Sequence, residues 1–127
     1  MPNNDQNEGK IYSKSEANSL YGPVLDSADF TMEKINGFIS KTSTALMFKF
    51  INKEVVVLGN GRNLIFPDNA KFTPTDVFSV FSISLLKDLF NLGKLDTVTV
   101  EQRESVLSIT VGNYTAEKIP NCPPFCP

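Results

Sequence analysis

Cys122 and Cys126 stand four residues apart in the closing segment Cys122-Pro123-Pro124-Phe125-Cys126-Pro127, and they are the only cysteines in the 127-residue chain. Two thiols at that spacing can bind a metal, close a disulfide or take part in thiol–disulfide exchange. The prolines weigh on the choice. A Pro-Pro pair favours the polyproline II helix, rising about 3.1 Å per residue, which would hold the two cysteines roughly 12 Å apart. A disulfide needs its Cα atoms within about 7 Å. A bridge therefore requires the chain to turn, for instance through a cis bond at one of the prolines. The chain has no histidine, so a four-ligand zinc site within one chain would need carboxylates, whereas two tails in a dimer would supply four thiolates. The segment reads as an extended tail, a disulfide loop, a metal site or a docking and modification element.

Elsewhere the chemistry is sparse. Without histidine the commonest general base and metal ligand are missing. Carboxylates could still do acid–base work, and Asp26 with Asp29 and Glu101 with Glu104 are the closest pairs. Glu101 lies between Thr99 and Arg103 at i±2, so one strand face would present all three. That face could bind a small polar ligand, or it could be the wet side of an antiparallel sheet. Gly59-Asn60-Gly61-Arg62 lacks the lysine–serine pair of a phosphate loop and the strand–turn–helix setting of a dinucleotide site, so it reads as a hairpin turn. The nucleophile motifs of lipases, cysteine proteases and class A β-lactamases are absent. No catalytic, cofactor or metal residue is expected.

Composition bounds the object that must position these groups. The chain has the size of one domain able to bury its own core. It is 41% hydrophobic and 20% charged, with ten Phe, which fits a globular domain. A net charge of −2 and only two arginines, Arg62 and Arg103, argue against nucleic-acid binding. No run approaches a membrane span of roughly 18 apolar residues. Residues 1–10 read as a disordered leader without a signal-peptide pattern, 11–120 as the domain and 121–127 as the tail. The expected location is cytoplasmic, although a removed signal peptide would leave no trace.

Ser13-Lys14-Ser15-Glu16 has capping-box spacing and predicts a short helix ending at Gly22-Pro23. Val24 to Asp29 is a connector or short edge strand. A second helix is predicted from Thr31 to about Lys41, and a third from Leu85 to Leu92, capped by Ser84 and closed by Gly93. Thr44–Ile51, Glu54–Leu58 and Asn63–Phe66 form a meander around the turns Asn52-Lys53 and Gly59-Asn60. The first of these strands is apolar on both faces, which places it centrally in a sheet. Val77–Ser82 favours strand. Thr97–Arg103, Val106–Val111 and Tyr114–Lys118 form a second meander. Val98, Val100, Leu107, Ile109 and Val111 point inward there, while Thr97, Thr99, Ser108 and Thr110 point to water.

The two halves carry the same signals at an offset of 53: Gly59 and Gly112, Pro67 and Pro120, Thr31 and Ser84. The apolar positions inside the helices match better at 51. A repeat of this kind would join two meanders into one sheet. The expected fold is α+β, with an antiparallel sheet of about five to seven strands and two or three helices mainly on one face. The expected function is non-catalytic: a binding or assembly domain acting through protein contacts, as a homodimer, without nucleic acid or membrane. Two alternatives stand beside it. One is a small polar-ligand or carboxylate-based hydrolytic domain using Thr99, Glu101 and Arg103. The other is a carrier presenting its Cys122/Cys126 tail.

Overall fold

The computed structural model describes residues 10–127 except 105, 118, 119 and 124; the leader expected over 1–10 lies outside them apart from Lys10, which opens the first strand. Ten strands and three helices follow in the order β1 (Lys10–Ser13), α1 (Lys14–Tyr21), β2 (Val24–Thr31), α2 (Met32–Ile39), β3 (Ala45–Ile51), β4 (Glu54–Gly59), β5 (Asn63–Phe66), β6 (Phe78–Ser82), α3 (Ile83–Gly93), β7 (Thr97–Arg103), β8 (Leu107–Val111), β9 (Tyr114–Glu117) and β10 (Asn121–Cys122). The α+β class with antiparallel sheet holds. The strands divide into two five-stranded sheets, β1-β9-β8-β7-β2 and β10-β6-β3-β4-β5.

The internal repeat is real in its element order. Strand, helix and three-stranded meander run twice, as β2-α2-β3-β4-β5 and β6-α3-β7-β8-β9. The two meanders do not join into one sheet, however. Each lead strand crosses over and pairs with the other half's meander, β2 with β7 and β6 with β3. The helix caps explain the competing offset. Thr31 accepts from Lys34 N and Ser82, not Ser84, accepts from Leu85 N, so the caps are 51 apart. Capping at Ser82 sets the helix phase that buries Leu85, Leu86 and Leu89. Gly93 is not the left-handed terminator either; Lys94 takes that conformation at φ 56°. Gly93 instead lies where any Cβ would collide with the backbone of Val111, so its missing side chain permits close helix–strand approach.

Both sheets turn one face to a shared core. Leu46, Phe48, Val55, Val57 and Phe81 from one sheet meet Val98, Val100, Leu107, Ile109 and Val111 from the other, with Ile35, Phe38, Leu86 and Leu89 from the helices. Burying each such side chain stabilises the fold by about 1.5–3 kcal/mol before entropy is subtracted. Phe30, Phe38 and Phe66 form an aromatic trio with centroids 5.4–5.8 Å apart. As its two apolar faces predict, β3 is central. Its second face joins Met47, Val56, Leu58, Phe78 and Val80 in a separate apolar cluster, covered by Phe72 and Cys122. The turn residues Asn52 and Lys53 both adopt positive φ, the conformation of a two-residue hairpin turn matched to strand twist.

Candidate functional site

The polar face of the second meander is not wet. Ser108 and Thr110, expected outside, are buried together with Glu101, Arg103, Thr115 and Glu117. The reason is the segment ahead of the repeat. β1 pairs with β9, and α1, started by the predicted capping box of Ser13 and Glu16, is tied from there to the outer side of this sheet. Alternation assigned the side chains to the right face, but it could not show that another element would cover that face.

Arg103 organises the buried cluster. Its Nη1 donates to Asn18 Oδ1 at 2.9 Å and to Gly22 O at 2.5 Å, gripping α1 and the turn after it. Nε donates to Ser108 Oγ at 3.1 Å and lies 2.9 Å from Glu117 Oε2. Nη2 lies 3.4 Å from Glu101 Oε1. That same carboxylate oxygen accepts from Ser108 Oγ at 3.1 Å and from Thr110 Oγ1 at 2.6 Å. Since the Thr110 proton is committed there, Thr115 is the donor in the 2.6 Å Thr110–Thr115 contact. Two carboxylates thus face one guanidinium out of water.

Glu117 is the weaker-held of the two. Among the described residues neither of its oxygens accepts a well-formed hydrogen bond. Burial pushes its pKa up from 4.5 to about 7; Arg103 pulls it down, and Glu101 adds to the rise. Burial outweighs the ion pair because Arg103 is shared with a second carboxylate. Above the cluster, Tyr21 packs edge-on to Tyr12 at 6.1 Å. Burial, and then its hydrogen bond to Tyr12, raises the Tyr21 phenol to about 12.

Of the three residues expected to share a polar face, Glu101 and Arg103 are brought together and Thr99 is not. Thr99 donates to Asp29 Oδ1 at 2.7 Å across the β2–β7 pair, in an exposed position. Thr99 and Glu101 both border an open recess of about 530 Å3 that Lys14, Asn18 and Val24 also line. The expected Glu101–Glu104 pair does not form a site, since Glu101 is buried and Glu104 exposed. Glu117, Thr115 and Asn18 are members of the cluster that the sequence does not mark, and Ser108 and Thr110 are marked only as facing water. The available signal was Thr115 and Glu117 at i and i+2 on the last strand, in phase with the polar face.

The tail closes on itself. Cys122 and Cys126 form a disulfide with Cα atoms 4.7 Å apart, so the extended spacing of roughly 12 Å expected from Pro-Pro geometry is not adopted. The chain turns at Cys122–Pro123, a cis peptide bond. β10 pairs with β6, and Arg62 anchors the turn. Its Nη1 donates to Cys122 O at 3.1 Å and lies 3.5 Å from Cys122 Sγ; its Nη2 donates to Thr73 O and Asp76 O. The Gly59–Arg62 turn is tied down by Asn60, whose Oδ1 accepts from Thr42 Oγ1 and the Thr44 and Ala45 amides. The chain's two arginines thus do parallel work: Arg103 fastens α1 over one sheet, and Arg62 fastens the tail at the other.

No cluster of metal-ligating side chains occurs among the described residues, and no described helix is long and apolar enough to cross a membrane. No known protein family, curated protein or solved structure matches the chain.

Proposed function

We propose that the chain is a non-catalytic assembly domain that acts through protein contacts as a homodimer, in the cytoplasm. The observation that carries this reading is the treatment of its sheet edges. β1 covers the free edge of β9, and β10 covers that of β6. The equivalent strands of the other half, β5 and β2, have no described strand on their outer sides. An uncovered edge is a template for pairing with another chain. β2 is eight residues long, far beyond the short stubs that blunt an edge.

The edges formed by β2 and β5 also share a side of the molecule. They border a groove of about 480 Å3 lined by Ala28 and Phe30 of β2, Phe66 at the end of β5, Val55 and Lys34. Lys34 Nζ sits 4.3 Å from the Phe66 ring centroid across the mouth of the core. Pairing β2 with β2 would bring Asp26 and Asp29 of one copy against the same two aspartates of the other along one seam, and like charges on paired strands are destabilising. Pairing β2 of each copy with the uncharged β5 of the other avoids this, satisfies both edges and closes at two. Each open strand also carries an exposed leucine, Leu25 on β2 and Leu64 on β5.

The hydrolytic alternative loses support because the Glu101 carboxylate is occupied by Arg103, Ser108 and Thr110. Sedimentation equilibrium from low micromolar to several hundred micromolar protein tests the proposal. A monomer–dimer equilibrium is expected for the wild type. Leu25→Lys and Leu64→Lys should each return the monomer, since edge lysines oppose strand addition. Leu92→Lys, on the exposed side of α3, should not. A monomer throughout the range, or a dimer indifferent to both edge lysines, refutes it.

A further inference from the structure

We infer that the Cys122–Cys126 disulfide is a redox-responsive clasp, opened in the folded protein by a dithiol reductant. The inference is independent of the dimer. The two sulfurs are unequal. Cys122 is fully buried, whereas Cys126 is exposed. Cys126 lies in the wall of a surface recess of about 400 Å3 shared with Phe125, Thr44 and Ser82. The exposed Phe125 ring beside it offers an apolar foothold to a protein dithiol. An attacking thiolate therefore reaches Cys126 first.

The leaving group is favoured from the other side. Cys122 Sγ lies 3.5 Å from Arg62 Nη1. A neighbouring guanidinium stabilises a thiolate, and a thiol of lower pKa leaves faster in exchange. The guanidinium is held in place by three carbonyls, those of Cys122, Thr73 and Asp76, and lies 5.2 Å from the Phe78 ring centroid. The reaction balances as two displacements. One thiolate of the reductant attacks Cys126 Sγ, forming a mixed disulfide and expelling Cys122 thiolate beside Arg62. The second thiolate then attacks its own partner sulfur in the mixed disulfide and expels Cys126 thiolate, which takes a proton from water. Two electrons pass to the protein, and the dithiol ends as a disulfide.

Opening the clasp has a local consequence. The loop it closes returns Pro127 O to the Gly61 amide at 3.1 Å and Phe125 N to Asn121 O at 2.9 Å. Both hydrogen bonds lie beyond Cys122 or depend on the return of the chain. The Val80 amide, by contrast, donates to Pro120 O, ahead of the disulfide. Reduction should free the last residues while leaving the body of the domain unchanged. A reducing cytoplasm is where a disulfide is expected to be transient or regulatory.

The test uses the full chain and millimolar dithiothreitol in native buffer, followed by alkylation, peptide mass analysis and amide hydrogen exchange. Complete reduction without denaturant is expected, with mixed-disulfide or early alkyl adducts on Cys126 before Cys122. Gly61 should exchange at least tenfold faster after reduction, and Val100 in the core should not change. Arg62→Gln should slow reduction about tenfold and Arg62→Lys much less, in keeping with loss or retention of the stabilising charge. If Arg62→Gln fails to fold, Arg62→Lys and the wild-type exchange pattern decide. Resistance to dithiothreitol until denaturant is added overturns the inference. So does equal acceleration of Gly61 and Val100, which would mark a structural staple, or reduction of folded Arg62→Gln at the wild-type rate.

Discussion

Replacing Glu117 with Gln should change the pH dependence of stability more than stability itself. The glutamate is fully buried, and its carboxyl is pushed up from 4.5 to about 7, first by burial. Between those values the folded state holds a proton that the unfolded chain has released. Stability from this group is therefore complete below the unfolded value, falls as pH rises through the window, and levels off above the folded pKa. A rise of this size, at about 1.4 kcal/mol per pH unit, corresponds to a loss of roughly 3 kcal/mol by neutral to mildly alkaline pH. Glutamine keeps the shape of the protonated acid and cannot ionise. Urea unfolding of both proteins from about pH 4.5 to about pH 8 isolates Glu117 and the groups coupled to it, because titrating groups that do not interact with it cancel in the difference. The two should match at the acidic end. At the alkaline end Glu117→Gln should be more stable by roughly 2–3 kcal/mol, with its slope against pH flattened. A difference independent of pH would show that Glu117 does not titrate in this window. A less stable variant at about pH 8 would show that the Arg103 ion pair outweighs burial, as happens when removing one partner strands a buried charge.

Leu89→Ala should cost about 2–5 kcal/mol in denaturant unfolding, as expected for a fully buried leucine, and Phe90→Ala, at a half-buried position on the same helix, should cost less; the reverse order would mean the helix is rotated on the sheets. Replacing both Cys122 and Cys126 with Ser should leave far-UV circular dichroism unchanged and lower stability by less than about 2 kcal/mol, because so short a loop removes little entropy from the unfolded chain. A larger loss would make the bridge a structural staple.

The legible parts of the fold were those set by neighbours in sequence. Ser13 and Glu16 announced α1, Thr31 announced α2, and Asn52-Lys53 marked a hairpin, because caps and turns are decided within a few residues. Alternation likewise sorted Val98, Val100 and Ile109 to the core. What it could not read was contact between distant segments. Whether Ser108 and Thr110 meet water depends on α1, some ninety residues earlier in the chain. The same holds for Glu101 and Arg103, which were visible as a polar pair but not as the anchor of a buried cluster. Ser84 fits the start of α3 by its place ahead of the leucines, but the cap falls two residues earlier at Ser82, and that phase is the one that leaves Leu85, Leu86 and Leu89 buried. The tail misled for another reason: the extended preference of Pro-Pro is weak beside the contacts that Arg62 and Gly61 make with a turned chain.

The crossing of the lead strands gives the chain a property that neither half possesses. Since β2 completes the sheet built on β7, and β6 completes the one built on β3, no half can finish a sheet from its own residues. The molecule is in effect an obligate pair of siblings joined by a tether, the loop 67–77. Their union depends on pairings between segments about 31–37 residues apart for β3 with β6 and about 66–79 residues apart for β2 with β7, a non-local pattern that slows nucleation and favours all-or-none folding. A lesion in one meander is thereby felt in the partner's sheet. The tether keeps the siblings at high effective concentration, and it is itself tied down, by the Phe72 ring on the second apolar cluster and by the Thr73 and Asp76 carbonyls that hold Arg62.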